Sequence, residues 1–599
     1  MPRYVVGIDL GTTNSAVAYV PLDAEAPALE VLPIPQLIGP GSCEERTLLP
    51  SFLYLLQPEE RSSAAFHLPW DDTSATIAGE FARCRAADVP HRVIASAKSW
   101  LCVDSVDRHS PILPWNSDAE GEKLSPVAAS ACYLRHLQHA WEQRFPDAPL
   151  AEQEIVLGVP ASFDPVAREL TVQAAALAGL GNVTLIEEPQ AAFYAWLADL
   201  GNEWHTHVAA GELILVCDVG GGTTDFTLIE VREDGGQLAL ERLAVGDHIL
   251  LGGDNMDLAL AHAVRARLAT EGTTLDTWQF RSLVLACRDA KEALLSDPRL
   301  THVPVAILGR GRRLIGGTVR TEVDRSVVEQ VLTEGFFPFC ERDAEPEGPA
   351  SVGVTEMGLP YAADPAITRH LAAFLSRART TEGEAIALPS SILFHGGALR
   401  SQVLRERLLA VIRSWSACAD RPRPLGVRDF SHAVCRGAAY YGFVRARGGV
   451  RIRGGVGRAY YLGIATAMPA VPGMQPPLKA FCVVPRGLEE GSEVELPQRE
   501  FALFVGREAE FRLFQSAVRS DPPGVLIEDL GPEFHELPPV RTRLDSHSVR
   551  GQRVPVYLRA KVNELGTLEL CFVERHGPGR WKLEFDLRAS ARNPNRPSP

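Results

Sequence analysis

The chain has 599 residues, well beyond the roughly 100–200 of a single domain, so two or more domains are expected. Its 46% hydrophobic and 23% charged residues are an ordinary globular mixture with ample material for large cores. Sixty basic against 75 acidic side chains leave a formal charge of −15, which argues against a general binder of nucleic acid or acidic lipid. No apolar run approaches the roughly 18 residues of a membrane span. Met1-Pro2-Arg3 leads straight into an apolar run without signal-peptide architecture. The 11 cysteines are scattered, with no Cys-x-x-Cys pair, and indicate neither a disulfide framework nor a zinc site. A cytoplasmic protein is expected.

In chain order, short β-branched runs alternate with longer Ala/Leu-rich stretches over about the first 440 residues. Strands are predicted over 5–10, 155–159, 214–218 and 391–394. Helices are predicted over 126–144, 164–178 and 257–270, the last from an acidic cap-like Asp257. This alternation is that of an α/β architecture. Residues 340–365, acidic and rich in Pro and Gly, read as an insertion, and the Gly/Arg-rich 445–458 as a domain boundary. Beyond Tyr460 the pattern changes to short runs over 481–484, 501–505, 511–514, 554–562, 567–573 and 581–587 between Gly/Pro turns, an all-β domain. No long amphipathic helix follows, and a polar, Pro-rich tail ends the chain. The expected division is 1–444, a linker over 445–459, a β-sandwich over 460–588 and a disordered tail over 589–599.

One theme occurs twice. Val5-Val6-Gly7-Ile8-Asp9-Leu10-Gly11-Thr12-Thr13-Asn14-Ser15 opens the chain, and Leu215-Val216-Cys217-Asp218-Val219-Gly220-Gly221-Gly222-Thr223-Thr224-Asp225 returns to it about 209 residues later. Each is an apolar strand carrying Asp near its end, then a Gly/Thr turn, then a second apolar strand. A Walker-type or dinucleotide loop would continue into a helix, so these loops are hairpin tips. Two such tips could clamp a polyphosphate, glycines letting backbone N–H groups approach and threonine hydroxyls adding donors. Asp9 and Asp218 could hold the water shell of Mg²⁺.

At these residues the chain resembles the 70-kDa heat-shock chaperones (DnaK-like), members of the actin/sugar-kinase ATPase superfamily. Further matches follow in order: Val159-Pro160-Ala161-Ser162-Phe163 with Arg168, Ala178-Gly179-Leu180, Glu187-Glu188-Pro189-Gln190-Ala191-Ala192, Phe394-His395-Gly396-Gly397-Ala398-Leu399-Arg400 and Gly437-Ala438-Ala439. The resemblance implies a two-lobed actin-like ATPase domain with ATP/ADP, Mg²⁺ and K⁺ as ligands, followed by a β-sandwich; the absence of a long amphipathic helix after it departs from the family and leaves an expectation of no helical lid. It makes Asp9 and Asp218 metal-shell residues acting through water. It places nucleotide contacts at Gly11, Thr12, Thr13, Asn14, Gly220, Gly221, Gly222, Thr223, Gly253, Lys291, Gly396, Gly397 and Arg400. Glu188 and Asp225 would order metal and attacking water, and Lys98 would steady the γ-phosphate and water; with Asp218 and Thr223 they form the catalytic set. Pro160 and Arg168 match the pair that relays nucleotide state between domains, the alternative being a strand-ending proline and a solvent-facing arginine. The adenosine segment departs from the family pattern: it carries Arg288, Lys291, Glu292 and Leu295, so an acid replaces the cation that can stack on adenine, and Ala398 replaces a serine.

Downstream, Tyr461-Leu462-Gly463-Ile464 and Glu564-Leu565-Gly566-Thr567-Leu568 resemble the family's peptide-binding β-domain more weakly. Residues 448–455 replace its acidic linker. Val450 and Ile452 alternate with Arg451 and Arg453 as an edge strand would; the rival reading, an Arg-Gly nucleic-acid segment, lacks interleaved aromatics. The resulting expectation is a slow ATPase whose nucleotide state controls binding of an unfolded or dedicated client protein, with a J-domain co-chaperone and an exchange factor, and no nucleic-acid or membrane partner. Alternatives are a nucleotide-binding scaffold with little turnover, its β-domain used for assembly, and, more weakly, a small-molecule kinase.

Overall fold

The computed structural model describes residues 2–586 apart from short internal segments, of which 308–317, 349–357, 379–387, 467–477 and 544–552 are the longest. The expected tail over 589–599, most of the 448–455 linker and residues 564–566 lie outside the described residues. The chain forms two compact units. The first takes in Met1–Leu238, Val245–Ala378 and Ala387–Arg451, the second Ala239–Ala244, Arg379–Ile386 and Ile452–Pro599.

In the first unit the internal echo becomes a duplicated sheet. Strand Tyr4–Leu10 pairs antiparallel with Asn14–Pro21 and parallel with Glu154–Val159, which runs parallel to Val183–Glu187. Leu213–Val219 pairs antiparallel with Thr224–Asp234 and parallel with Ser391–His395, which runs parallel to Arg423–Pro424. Order and sense are the same in both sheets. The first hairpin turns over residues 11–13 and the second over 220–223, so Asp9 and Asp218 reach equivalent places near the ends of their strands. The parallel pairings need crossovers, and the helix Pro165–Leu177 supplies the one between the strands Glu154–Val159 and Val183–Glu187.

Glycine lets these layers approach closely. The helix Ala433–Arg447 packs on Tyr4–Leu10 and on the helix Glu188–Leu200. A Cβ on Gly7 would overlap the Cys435 carbonyl, and one on Gly437 would overlap the Ala191 carbonyl. The predicted Gly437-Ala438-Ala439 segment is therefore a backbone-to-backbone contact. Between the helices Arg325–Phe336 and Ile367–Arg377 lies the 340–365 insertion, pinned at both ends. Trp415 Nε1 donates to the Cys340 carbonyl at 2.7 Å and Thr368 Oγ1 to the Pro338 carbonyl at 2.7 Å. At the far end Asp364, 2% exposed, accepts from Arg369 at 3.0 Å and from the Glu347 N–H at 2.9 Å.

The structure corrects three expected boundaries. The helix expected to start at Asp257 starts at Gly253, because Gly252 N–H donates to Asn255 Oδ1 at 3.0 Å and caps it there. Asp257 is inside that helix and buried. The helix Ala433–Arg447 continues through the first three residues of the expected linker and ends at Gly448, whose φ of +85° suits the residue that follows a helix. Residues 511–514, expected as one strand, divide: Glu508–Phe511 pairs with Val540–Arg543, and Leu513–Ser516 with Ala459–Ala465.

The second unit is β-rich, and its described residues contain strands and no helix. One sheet has the order Leu526–Ile527, Leu478–Val484, Ala459–Ala465, Leu513–Ser516, His535–Glu536. The other has the order Glu493–Phe504, Arg553–Val562, Thr567–Glu574, Arg580–Asp586. Their facing apolar residues form one core, with Tyr460, Leu462, Phe481 and Val483 meeting Leu496, Val556, Leu558, Leu570 and Leu583. That is a sandwich. Ile452–Arg453 is a strand, as the alternation predicts, and runs parallel to Leu240 and Glu241. Among the described residues no helix is long and apolar enough to cross a membrane.

Substituting Gly437→Ala is expected to destabilise the first unit by roughly 1–3 kcal/mol, since the added methyl meets backbone rather than a yielding side chain. Urea unfolding followed by tryptophan fluorescence measures this, and an unchanged midpoint would refute the close approach.

Candidate functional site

The two hairpin tips meet. A Cβ on Gly221 would overlap Thr13 Oγ1, and one on Gly222 would lie 2.6 Å from Thr12 Cγ2. Only glycine lets the second tip reach the first this closely. The first tip is braced by Ser51, which donates through Oγ to the Gly11 carbonyl at 2.7 Å and through N–H to the Thr13 carbonyl at 2.8 Å. The second is braced by the start of the helix Gly253–Thr270: Gly253 N–H donates to the Gly220 carbonyl at 3.0 Å and Asp254 N–H to the Gly221 carbonyl at 2.7 Å.

Beside the tips is a cleft of about 790 Å³. Of the predicted residues it gathers Asp9, Gly11, Thr12, Thr13, Asn14, Lys98, Glu188, Asp218, Gly220, Gly221, Thr223, Gly253, Lys291, Gly396, Gly397 and Arg400. Gly222, Asp225, Pro160 and Arg168 are not part of its wall. Gly222 backs onto Thr12, and Asp225 sits opposite Asp218 in the hairpin register, buried and hydrogen-bonded by Ser162.

Charge organises this wall. Lys98 is delivered by the short helix Ala97–Trp100, which follows Ser96 in a left-handed conformation of φ +54°, strained for a residue other than glycine. Its Nζ forms a close, buried ion pair with Glu188, the first residue of the helix Glu188–Leu200. Burial opposes the Lys98 charge, but Glu188, Asp9 and Asp218 outweigh it and raise its pKa. The carboxylates fare differently. Burial and then Glu188 push Asp9 up to about 7. Burial, then Glu188, Asp225 and Asp9, hold Asp218 well above the usual carboxylate range. Asp225 is pushed up to about 6, chiefly by burial. Four carboxylates thus share one ammonium.

This donor set fits a divalent cation with a polyphosphate. Carboxylates in excess of cations ask for positive charge, and Thr13 Oγ1 is buried without a partner in the tip where a phosphate oxygen would accept from it. Among the described residues no three His, Cys, Asp or Glu side chains converge as a direct metal cage.

The adenosine side departs from expectation in its connections. Lys291 lines the cleft, but its Nζ pairs with Asp257 Oδ1 at 2.5 Å and donates to the Gly253 carbonyl at 3.2 Å. Arg288 donates from Nε to Asp257 Oδ2 at 2.8 Å and forms a close pair with Asp254. Glu292 and Arg400 are exposed in the cleft wall. Sequence reasoning missed Asp254 and Asp257 as the residues that engage these cations, since no local spacing announces a contact 31 residues apart. It also missed Arg83, which bridges the cleft from the helix Glu80–Asp88 to Asp289 at 3.0 Å.

The solvent-facing reading of Arg168 is corrected. It is 1% exposed, paired with Glu187 at 2.8 Å, and donates from Nε to the Phe163 carbonyl at 3.1 Å and from Nη2 to the Ala161 carbonyl at 3.3 Å. It ties the loop after Pro160 to the residue preceding Glu188. The buried ion pair forces this placement, because an unpaired guanidinium could not stay there.

Duplicated α/β sheets whose Gly/Thr hairpins meet over paired aspartates define an actin-like ATPase-type domain, here joined to a β-rich second unit. The family model for Hsp70 protein matches residues 75–336. A chaperone protein HscA homolog of Burkholderia lata is 31% identical over 369 residues, covering 59% of this chain and 52% of the relative. A homolog from Pseudoalteromonas atlantica is 27% identical over 67% of this chain and 58% of the relative, and the Klebsiella pneumoniae HscA 33% identical over 51% and 44%. The matched part of the chain is an Hsp70-family region. The alignments span about half the length of these curated relatives.

The raised carboxyls have a pH consequence. Folded Asp9 and Asp225 hold protons that the unfolded chain releases near pH 4, so without divalent cation stability falls as pH rises from about 4 through about 6 and 7. Asp9→Asn is expected to raise the melting temperature at pH 8, by on the order of 1 kcal/mol in stability, and to flatten the pH dependence. Thermal melts in chelator at pH 5 and pH 8 test it; a variant that melts below wild type at pH 8 would contradict the charge account.

Proposed function

We propose that this chain is an ATP-dependent, Hsp70-type chaperone that works in the cytoplasm. Mg·ATP binds and is slowly hydrolysed in the cleft of the first unit, and its state controls client binding by the β-sandwich. The observation that carries the reading is the tip-to-tip meeting of the Gly220–Thr223 and Gly11–Asn14 turns beside the charged set Asp9, Lys98, Glu188 and Asp218.

Mg·ATP would supply the scissile phosphoryl bond and the charge neutralisation that phosphoryl transfer to water requires. The protein's part is positioning and electrostatics. Thr12, Thr13 and Thr223 offer hydroxyls at the tips, and Gly220 and Gly221 keep the backbone free of side chains there. Lys98 holds one carboxylate oxygen of Glu188, leaving the other to accept a proton from water. Asp9 and Asp218 would accept from the water shell of a bound cation, and buried Asp225, held by Ser162, would help to order water. Gly396, with φ +89°, passes so close to Asp218 that a Cβ would overlap the carboxylate, and it thereby sets that side chain's place. Pro160 and Arg168 carry the site's state outward through the loop that Arg168 binds. The client is an unfolded or dedicated polypeptide, with a J-domain protein and an exchange factor as partners.

A nucleotide-binding scaffold with little turnover is the second reading. It is favoured by Arg288 and Lys291, whose charges are already engaged by Asp254 and Asp257.

Steady-state Mg·ATP turnover of the full chain, with and without an unfolded polypeptide, decides between them. Slow turnover raised by the polypeptide, and lowered about 100-fold or more in Asp218→Asn, is expected. Nucleotide binding without turnover would select the scaffold, and absence of both would overturn the nucleotide reading.

A further inference from the structure

His395 ends the strand Ser391–His395 and faces Asp218 in the parallel register of the second sheet. It is 6% exposed and lines the cleft. Neither ring nitrogen has a hydrogen-bond partner among the described residues. Nδ1 is sealed off and unpartnered, and Nε2 stands 3.8 Å from Asp218 Oδ2, too far for a direct hydrogen bond. A buried imidazole with both nitrogens unpaired is costly in a strand where an aliphatic side chain would pack equally well, so a ligand on the cleft side is the natural completion.

The pairing of nitrogen and oxygen indicates which ligand. Mg²⁺ prefers oxygen donors and retained waters, whereas borderline first-row cations take imidazole readily. At 3.8 Å from Asp218 Oδ2, Nε2 faces the same part of the cleft as the carboxylate that would hold the cation's water shell. Resting on the nucleotide reading above, we propose that Nε2 of His395 enters the coordination shell of the cleft's divalent cation beside Asp218, so that the site favours a first-row cation that accepts nitrogen, as Mn²⁺ does more readily than Mg²⁺. The protein then contributes one direct nitrogen donor, Asp218 holds the ion's water shell beside it, and water and the nucleotide complete the coordination.

The test uses the full chain loaded with Mn²⁺ and ADP, examined by pulsed electron paramagnetic resonance for ¹⁴N coupling to the ion. Wild type is expected to show directly bound imidazole nitrogen, converted to a ¹⁵N coupling by ¹⁵N-histidine labelling and lost in His395→Val. In competition titrations the Mn²⁺-over-Mg²⁺ preference should fall about tenfold in that variant, while ADP binding with Mg²⁺ persists. A wild type that binds Mn·ADP without histidine nitrogen coupling, or a coupling unchanged in His395→Val, overturns the proposal and leaves the nucleotide reading standing. A wild type that binds no ADP overturns both. If His395→Val does not fold, His395→Gln takes its place with the same two outcomes.

Discussion

The first unit depends on one charge. Lys98 Nζ is the ammonium among half-buried Asp9 and buried Glu188, Asp218 and Asp225, all at the junction of the two sheets. Burial alone would make this cluster intolerable; the ion pair with Glu188 makes it tolerable, and the remaining negative charge makes it receptive. The strained Ser96 and the tight helix Ala97–Trp100 put the lysine where no regular element would. The cleft is thus held short of electrical balance, a deficit that a divalent cation would reduce.

Close approach of backbones is the second constraint. The same residue type, glycine, brings tip to tip at Gly221, strand to helix at Gly7 and helix to helix at Gly437. These positions surround the charged cluster, so its geometry is inherited from main chain more than from adaptable side chains.

Much of this was legible in the sequence because the signals are local. A strand, an Asp, a Gly/Thr turn and a second strand lie within about fifteen residues, and their repetition revealed the duplication that the two sheets display. The strand–turn alternation after Tyr460 similarly announced the sandwich. What escaped depends on partners distant in sequence. Gly252-Gly253 reads as a loop until Asn255 is seen to cap it. Residues 511–514 read as one strand because nothing local shows that Phe511 and Leu513 join different sheets. Arg168 keeps a solvent-facing reading as its alternative in the sequence, and only its distant partner Glu187 shows it buried. Arg288 and Lys291 look free for a ligand in a helix of ordinary pattern, and only the neighbouring helix shows Asp254 and Asp257 engaging them.

The insertion between the helices Arg325–Phe336 and Ile367–Arg377 leaves and re-enters the fold through two anchored ends, Cys340 bound by Trp415 and Asp364 bound by Arg369. The anchors hold the two ends, and added length between them costs the fold only slowly growing closure entropy. It is a natural port. A fluorophore, an affinity handle or an entire guest domain spliced between those ends would therefore cost the fold little.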